Sequence, residues 1–164
     1  IIKTLRLIDR VVKNRKQIVG ICFGHQIIVQ SMSGLVEKYS KGWAMGITPV
    51  KFKMQKPWLP KFFNKLKLIS FHQDQVVKIP NNFDHLAETN FCKFYSLSMD
   101  NQVFTIQGHP EFSNRYTLDL LEIKKDSIGE KQYFKSKKEL EKQSHDGYVF
   151  QNCIANFLEK NFDF

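Results

Sequence analysis

Two short stretches hold the residue types that could do chemistry. In Gly20-Ile21-Cys22-Phe23-Gly24, one thiol stands two positions from a glycine on either side, and in Gly108-His109-Pro110-Glu111 an imidazole and a carboxylate stand two positions apart. A thiol becomes a strong nucleophile as the thiolate, and an imidazole can take its proton and later return one to a leaving group. A carboxylate on the far ring nitrogen would fix the imidazole's tautomer and orientation. Cys22, His109 and Glu111 together therefore suit acyl transfer through a thioester. Taken singly, a lone cysteine is more often a small buried apolar residue, and a His-Pro-Glu tripeptide more often a strand end with an exposed acid. It is the pairing of the two stretches that favours catalysis.

The surrounding elements must present these groups. Ile18-Val19-Gly20-Ile21 is a short, β-branched run of the kind that forms a strand buried on both faces, and it is followed by a helical pattern from Gln26 to Met32 with Gly34 as its stop. Cys22 is thus expected at a strand-to-helix turn, exposed to solvent, with the glycines relieving the crowding of a strained bend. The helix's positive end would favour the thiolate, and its first amides, that of Phe23 among them, could donate to an oxyanion. Pro110 keeps His109 out of the helical region, so His109 and Glu111 can project to one side of an extended stretch that follows a strand at 102–107.

Elsewhere, Ile1, Leu5, Ile8 and Val12 form one apolar stripe on a helix. Residues 46–53, 65–71, 94–99 and 102–107 read as strands, with Asp100-Asn101 as a tight hairpin. From Asn114 onward the chain reads as mainly helical, over 116–125, through a Lys/Glu-rich exposed helix or loop, and again over 148–160. A helix and strand at the front and a late hairpin argue an α/β domain with a mixed sheet, spanning 1–164 as one unit with 114–164 its helical end.

The 164 residues are 42% hydrophobic and 13% aromatic, enough for one sizeable core. Three cysteines, Cys22, Cys92 and Cys153, are too few for a disulfide scaffold, and Cys92 and Cys153 read as apolar fillers. No apolar run nears the roughly 18 residues of a membrane span. The chain starts with Ile1 and shows no charged leader followed by an apolar stretch and a cleavage site. It is expected to be soluble and cytoplasmic, with no membrane partner. Lys+Arg at 25 against Asp+Glu at 16 gives a net charge of +9, and Lys51, Lys53, Lys56, Lys61, Lys65 and Lys67 interleave with Phe52, Trp58, Phe62 and Phe63. Such alternation can bind single-stranded nucleic acid, but no recognisable motif accompanies it, and a solvated basic loop is the better reading.

The two stretches resemble the signatures of the class I (triad) glutamine amidotransferases. The nucleophile signature stands as GICFGHQ from Gly20 to Gln26 and the base signature as GHPEF from Gly108 to Phe112. KGWAMGITPV from Lys41 to Val50 and ISFHQDQVVKIP from Ile69 to Pro80 are similar to the family's connecting segments. These segments most resemble the stand-alone branch that includes plant γ-glutamyl peptidases and fungal amidotransferase-like proteins.

The resemblance implies a flavodoxin-like, three-layer α/β domain with a mixed, largely parallel sheet. It also implies further strands before the elbow and a glycine loop giving a second oxyanion donor. Only Ile1 to Lys16 precede the elbow strand here, so an N-terminally truncated form of that domain is expected. By the same resemblance Cys22 attacks a γ-glutamyl amide of glutamine or a small γ-glutamyl peptide, His109 protonates the leaving amine and then activates water, and Glu111 supports His109. Phe23 supplies an oxyanion amide, and Gln26 helps to hold the substrate's amino-acid end. His72 and Asp74 fall near the site or simply close a strand, and Trp43 either lines the pocket or packs. No cofactor is needed and no metal is expected, since Cys22 and His25 have no second ligand pair nearby. The sequence has no phosphate-cradling loop, so an acceptor reaction would need a separate synthetase chain. The alternative to hydrolysis is an inactive amidotransferase-like fragment or binding module.

Overall fold

The structure, a computed structural model, describes residues 1–61 and 65–159. Its helices are α1 (Ile2–Lys13), α2 (Phe23–Ser31), α3 (Asn114–Ile128), α4 (Glu130–Lys142) and α5 (Gly147–Glu159). Its strands are β1 (Ile18–Ile21), β2 (Leu35–Lys38), β3 (Ala44–Phe52), β4 (Lys65–His72), β5 (Asp74–Lys78), β6 (Asp84–Glu88), β7 (Ser96–Met99) and β8 (Val103–Ile106). Six of them make one sheet in the order β1-β8-β7-β6-β3-β4, and β2 with β5 makes a two-stranded ribbon.

The side chains of β8 show how the layers arise. Strand residues alternate between faces. Phe104 and Ile106 point into a core with Trp58, Phe150, Cys153 and Phe157, which places α5 on that side. Val103 points the opposite way, into a core with Ile8, Ile27, Ile28, Val29 and Val76, which places α1, α2 and the ribbon on the other. The apolar stripe of α1 turns inward as its spacing predicts: Ile8 is buried and Leu5 and Val12 pack beside it, while Ile1 is exposed. At the far edge β3 and β4 pack on α3 and α4 through Met45, Ile47, Ile69, Leu121, Tyr133 and Leu140. The Lys/Glu-rich stretch is therefore a helix, and it carries an apolar side. Lys53 pairs with Glu88 and Lys56 with Asp84, so part of the basic stretch is held in surface ion pairs; Phe62 and Phe63 lie outside the described residues.

The sheet is mixed, as expected, but it is not largely parallel. β1 and β8 run parallel, and the other four pairings are antiparallel. The reason lies in the connections: parallel neighbours need a long crossover, whereas antiparallel ones can be joined directly. β7 and β8 are linked by Asp100, Asn101 and Gln102 alone, with Asp100 at φ 48°, and among the described residues no helix intervenes between β3 and β8. No helix among the described residues is long and apolar enough to cross a membrane.

Candidate active site

Cys22 is the single residue between β1 and α2, held at φ 50° and ψ −102°. A side chain at positive φ is strained and persists only when its neighbours fix it. Here the Cys22 amide donates to the Ile106 carbonyl at 2.8 Å, and the Cys22 carbonyl accepts from the Gln26 amide at 3.1 Å. A Cβ on Gly20 would stand 2.7 Å from the Gly24 carbonyl carbon and from Ile28 Cδ1, so the bend closes only over a hydrogen. Gly24 has nothing within 4 Å of its missing Cβ, so the expected relief of crowding operates at Gly20 and not at Gly24. Phe23 opens α2, where backbone amides have no intrahelical acceptor and remain available to an anion; its side chain is exposed.

β8 leads through Gln107 and Gly108 to His109. The His109 amide donates to the Ile69 carbonyl at 2.8 Å, which anchors the stretch to β4. Gly108 passes directly over the Tyr95 hydroxyl, where no Cβ would fit, and that hydroxyl is itself fixed by Ser70 Oγ at 2.9 Å. His109 Nδ1 lies 2.8 Å from Glu111 Oε1, and Phe112 stacks on the ring with centroids 3.9 Å apart. Burial works against a charge on this imidazole, yet its interactions with the Cys22 sulfur and the Glu111 carboxylate outweigh that and hold His109 up at about 9. At neutral pH the ring is an imidazolium, with a proton in place for a departing amine.

Gln26 and Gln107 form the floor beside the sulfur. Gln26 Nε2 donates to the Asp74 carbonyl at 2.8 Å and to Gln107 Oε1 at 3.0 Å, and Gln107 Nε2 reaches Cys22 Sγ at 3.5 Å. Gln107, wholly buried, is a site residue that sequence reasoning missed. The available signal was a carboxamide just past the strand Val103–Ile106 and two residues before His109.

His25 is not beside Cys22 as a ligand partner. It turns into the core, where Nδ1 meets Thr105 Oγ1 at 2.8 Å, and burial, with the charge of His72 adding to it, lowers it to about 3. His72 is lowered to about 4, first by burial and further by the charge on His109, against the hydrogen bond between its Nδ1 and the Asp74 carbonyl at 3.1 Å. Both rings are neutral at pH 7, so His109 carries the only charge among the three. Among the described residues no group of three His, Cys, Asp or Glu side chains is placed to hold a metal ion. Cys92 and Cys153 are buried in the core and their thiols are pushed up to about 12 by burial, which leaves them unreactive.

A cavity of about 380 Å³ opens at the sulfur and is lined by Cys22, Gln26, Trp43, His72 and Asp74, with Lys38 at its side. The segment carrying His72 and Asp74 is the β4–β5 junction, so it is strand on both sides of Gln73. An adjoining cavity of about 510 Å³ shares Lys38, Trp43 and Gln73 and adds Lys41 and Lys124. A thiol, an imidazolium backed by a carboxylate, free helix amides and an open cavity can together form and break an acyl thioester.

The chain is 28% identical over 167 residues to γ-glutamyl peptidase 3 of Arabidopsis thaliana, covering 97% of this chain and 67% of the plant protein. It is 33% identical over 109 residues to a glutamine amidotransferase-like protein of Schizosaccharomyces pombe, covering 65% of this chain and 43% of the yeast protein. The fold matches the crystal structure of a glutamine amidotransferase from Thermotoga maritima with a TM-score of 0.75 at 17% identity, over 96% of this chain and 69% of that one. The chain thus spans about two thirds of the plant relative and less than half of the yeast one. The family model for glutamine amidotransferase class-I matches residues 2–125, and the chain belongs to that family.

Proposed function

We propose that this chain hydrolyses the γ-glutamyl amide bond of glutamine or of a small γ-glutamyl peptide, with Cys22, His109 and Glu111 as the reacting set. The observation that carries this reading is the placement of His109, which contacts the Cys22 sulfur and has Glu111 Oε1 2.8 Å from its Nδ1. The Cys22 sulfur attacks the γ-carbonyl carbon, and the C–N bond breaks as His109 hands its proton to the departing nitrogen. A γ-glutamyl thioester remains. Neutral His109 then takes a proton from water as the oxygen attacks the thioester, which releases glutamate and restores the thiolate–imidazolium pair. Glu111 holds the ring through Nδ1 in both steps, and the first amides of α2, that of Phe23 foremost, face the oxyanion. Gln26, on the cavity wall, helps to hold the amino-acid end of the substrate. The plant relative's name, a γ-glutamyl peptidase, supports a stand-alone hydrolase. Delivery of ammonia to an acceptor would need a synthetase as well.

The test is the intact mass of the protein after incubation with 6-diazo-5-oxo-L-norleucine, an electrophilic glutamine analogue, beside a Cys22→Ala control. One adduct per chain, absent in the control and suppressed by excess glutamine, is the expected result. A folded sample that takes no label, or takes it equally at Cys92 and Cys153, overturns the reading. Labelling without release of glutamate from any γ-glutamyl compound would instead assign the chain as a binding module.

A further inference from the structure

We propose that Gln26 and Gln107 form a directed hydrogen-bond relay, running from the Asp74 carbonyl, whose last amide donor holds the Cys22 sulfur as an anion in its attacking position. The inference rests on Cys22 being the nucleophile and adds two positioning residues to it.

The direction of the relay follows from its first partner. The Asp74 carbonyl oxygen can only accept, so the Gln26 atom 2.8 Å from it is the amide nitrogen. That nitrogen also contacts Gln107 at 3.0 Å, so the Gln107 atom facing it must be the acceptor oxygen. The Gln107 nitrogen is thereby turned to the Cys22 sulfur at 3.5 Å. Neither carboxamide is free to flip, because a flip of either would set two donors or two acceptors face to face. The Asp74 carbonyl is itself held from a second side by His72 Nδ1 at 3.1 Å.

Burial gives the relay its force. Gln107 is 0% exposed and Gln26 9%. A buried carboxamide is costly unless both of its ends are satisfied, and the sulfur is the partner of the outer Gln107 end. A donor facing sulfur is strengthened by negative charge there, so the relay favours the state in which the proton has moved to His109. The other titratable groups around the sulfur are His109, His72 and Tyr95, with Lys38 and Asp74 on the cavity wall, and the substitutions below leave all of them in place.

The experiment follows the pH dependence of Cys22 alkylation by iodoacetamide on the whole chain, with urea unfolding measured in parallel. Gln107→Met, close in volume but with no donor, is expected to raise the midpoint by about one pH unit, which means about tenfold slower alkylation on the acid side of both midpoints. Gln107→Glu, which turns an oxygen toward the sulfur, is expected to raise it further. Gln26→Met frees Gln107 to flip and raises it by less, and the Gln26→Met/Gln107→Met double variant goes no further than Gln107→Met alone. An unmoved midpoint in Gln107→Met overturns the proposal, and so do additive shifts in the double variant. Should Gln107→Met fail to fold, Gln26→Met decides, and an unmoved midpoint there is equally fatal. A wild-type Cys22 that alkylates no faster than Cys92 or Cys153 removes the nucleophile itself; fast Cys22 alkylation with unmoved midpoints removes only the relay.

Discussion

Phe112 lies flat on His109, the two rings 3.9 Å apart at their centroids and 14° from parallel. Glu111 fixes the imidazole in its own plane through Nδ1, and Phe112 fixes it out of plane, so the ring has little freedom left. A cation over an aromatic face also gains roughly 0.5–1 kcal/mol, which favours the imidazolium.

Phe112→Leu is therefore expected to lower kcat for γ-glutamyl hydrolysis about tenfold through misplacement of the ring, with KM little changed. The alkaline limb of the pH–rate profile should move down by roughly half a unit as the cation loses its aromatic face. Steady-state kinetics across pH on the variant and the wild type check both.

Stability should fall on both sides of neutrality, for opposite reasons. His109 is raised from 6.5 to about 9, so the stability it contributes is fully present below about 6.5 and is lost as pH rises through about 9. His25 and His72 are lowered from 6.5 to about 3 and about 4, so their contribution is full above about 6.5 and is lost as pH falls toward those values. Thermal midpoints measured across this range should peak near neutrality, and Cys22→Ala should flatten the alkaline side alone.

Thr105→Val removes the partner of a buried ring. Thr105 Oγ1 is the side-chain partner of His25 Nδ1 at 2.8 Å, and the substitution leaves that nitrogen without it. A loss of roughly 1–3 kcal/mol is expected by urea titration. Thr105→Ser, which keeps the hydroxyl, should recover most of it.

Gly108→Ala drives a Cβ into the Tyr95 ring and hydroxyl, so the stretch that carries His109 must shift. Roughly 1–3 kcal/mol of stability should go with it. The fall in kcat/KM should be larger in proportion, about a hundredfold, because the displaced group is the proposed proton donor. Unfolding and kinetics measured on the same sample separate the two effects.

Much of the site is legible in the residues themselves. Glycine, cysteine and the β-branched run before them place the elbow, and Pro110 places His109 and Glu111 on one extended stretch, because these are local steric rules. The partners that come from elsewhere in the chain are not legible in the same way. Nothing local says that Gln107 will meet Cys22 and Gln26, or that the Asp74 carbonyl will anchor both Gln26 and His72; those contacts exist only once β5 and β8 are in place. The largely antiparallel direction of the sheet's pairings is hidden for a related reason. β6 is five residues long with an acidic residue at each end, so no alternation marks it as a strand, and without it the antiparallel connections of the sheet cannot be counted. Gly24 teaches the converse, since a glycine in a motif does not by itself reveal what, if anything, crowds it.

The parallel pairing of β1 with β8, in register Ile21↔Ile106, joins parts of the chain 85 positions apart at Cys22 and Gln107. Contacts between residues so distant in sequence carry a large loop-closure entropy and tend to form late in folding. Until that pairing closes, the chain carries a thiol at one place and an imidazole at another, and neither has its charge partner. Under the proposed function, reactivity toward a γ-glutamyl group reports closure of that pairing, and turnover would count only molecules in which it has formed.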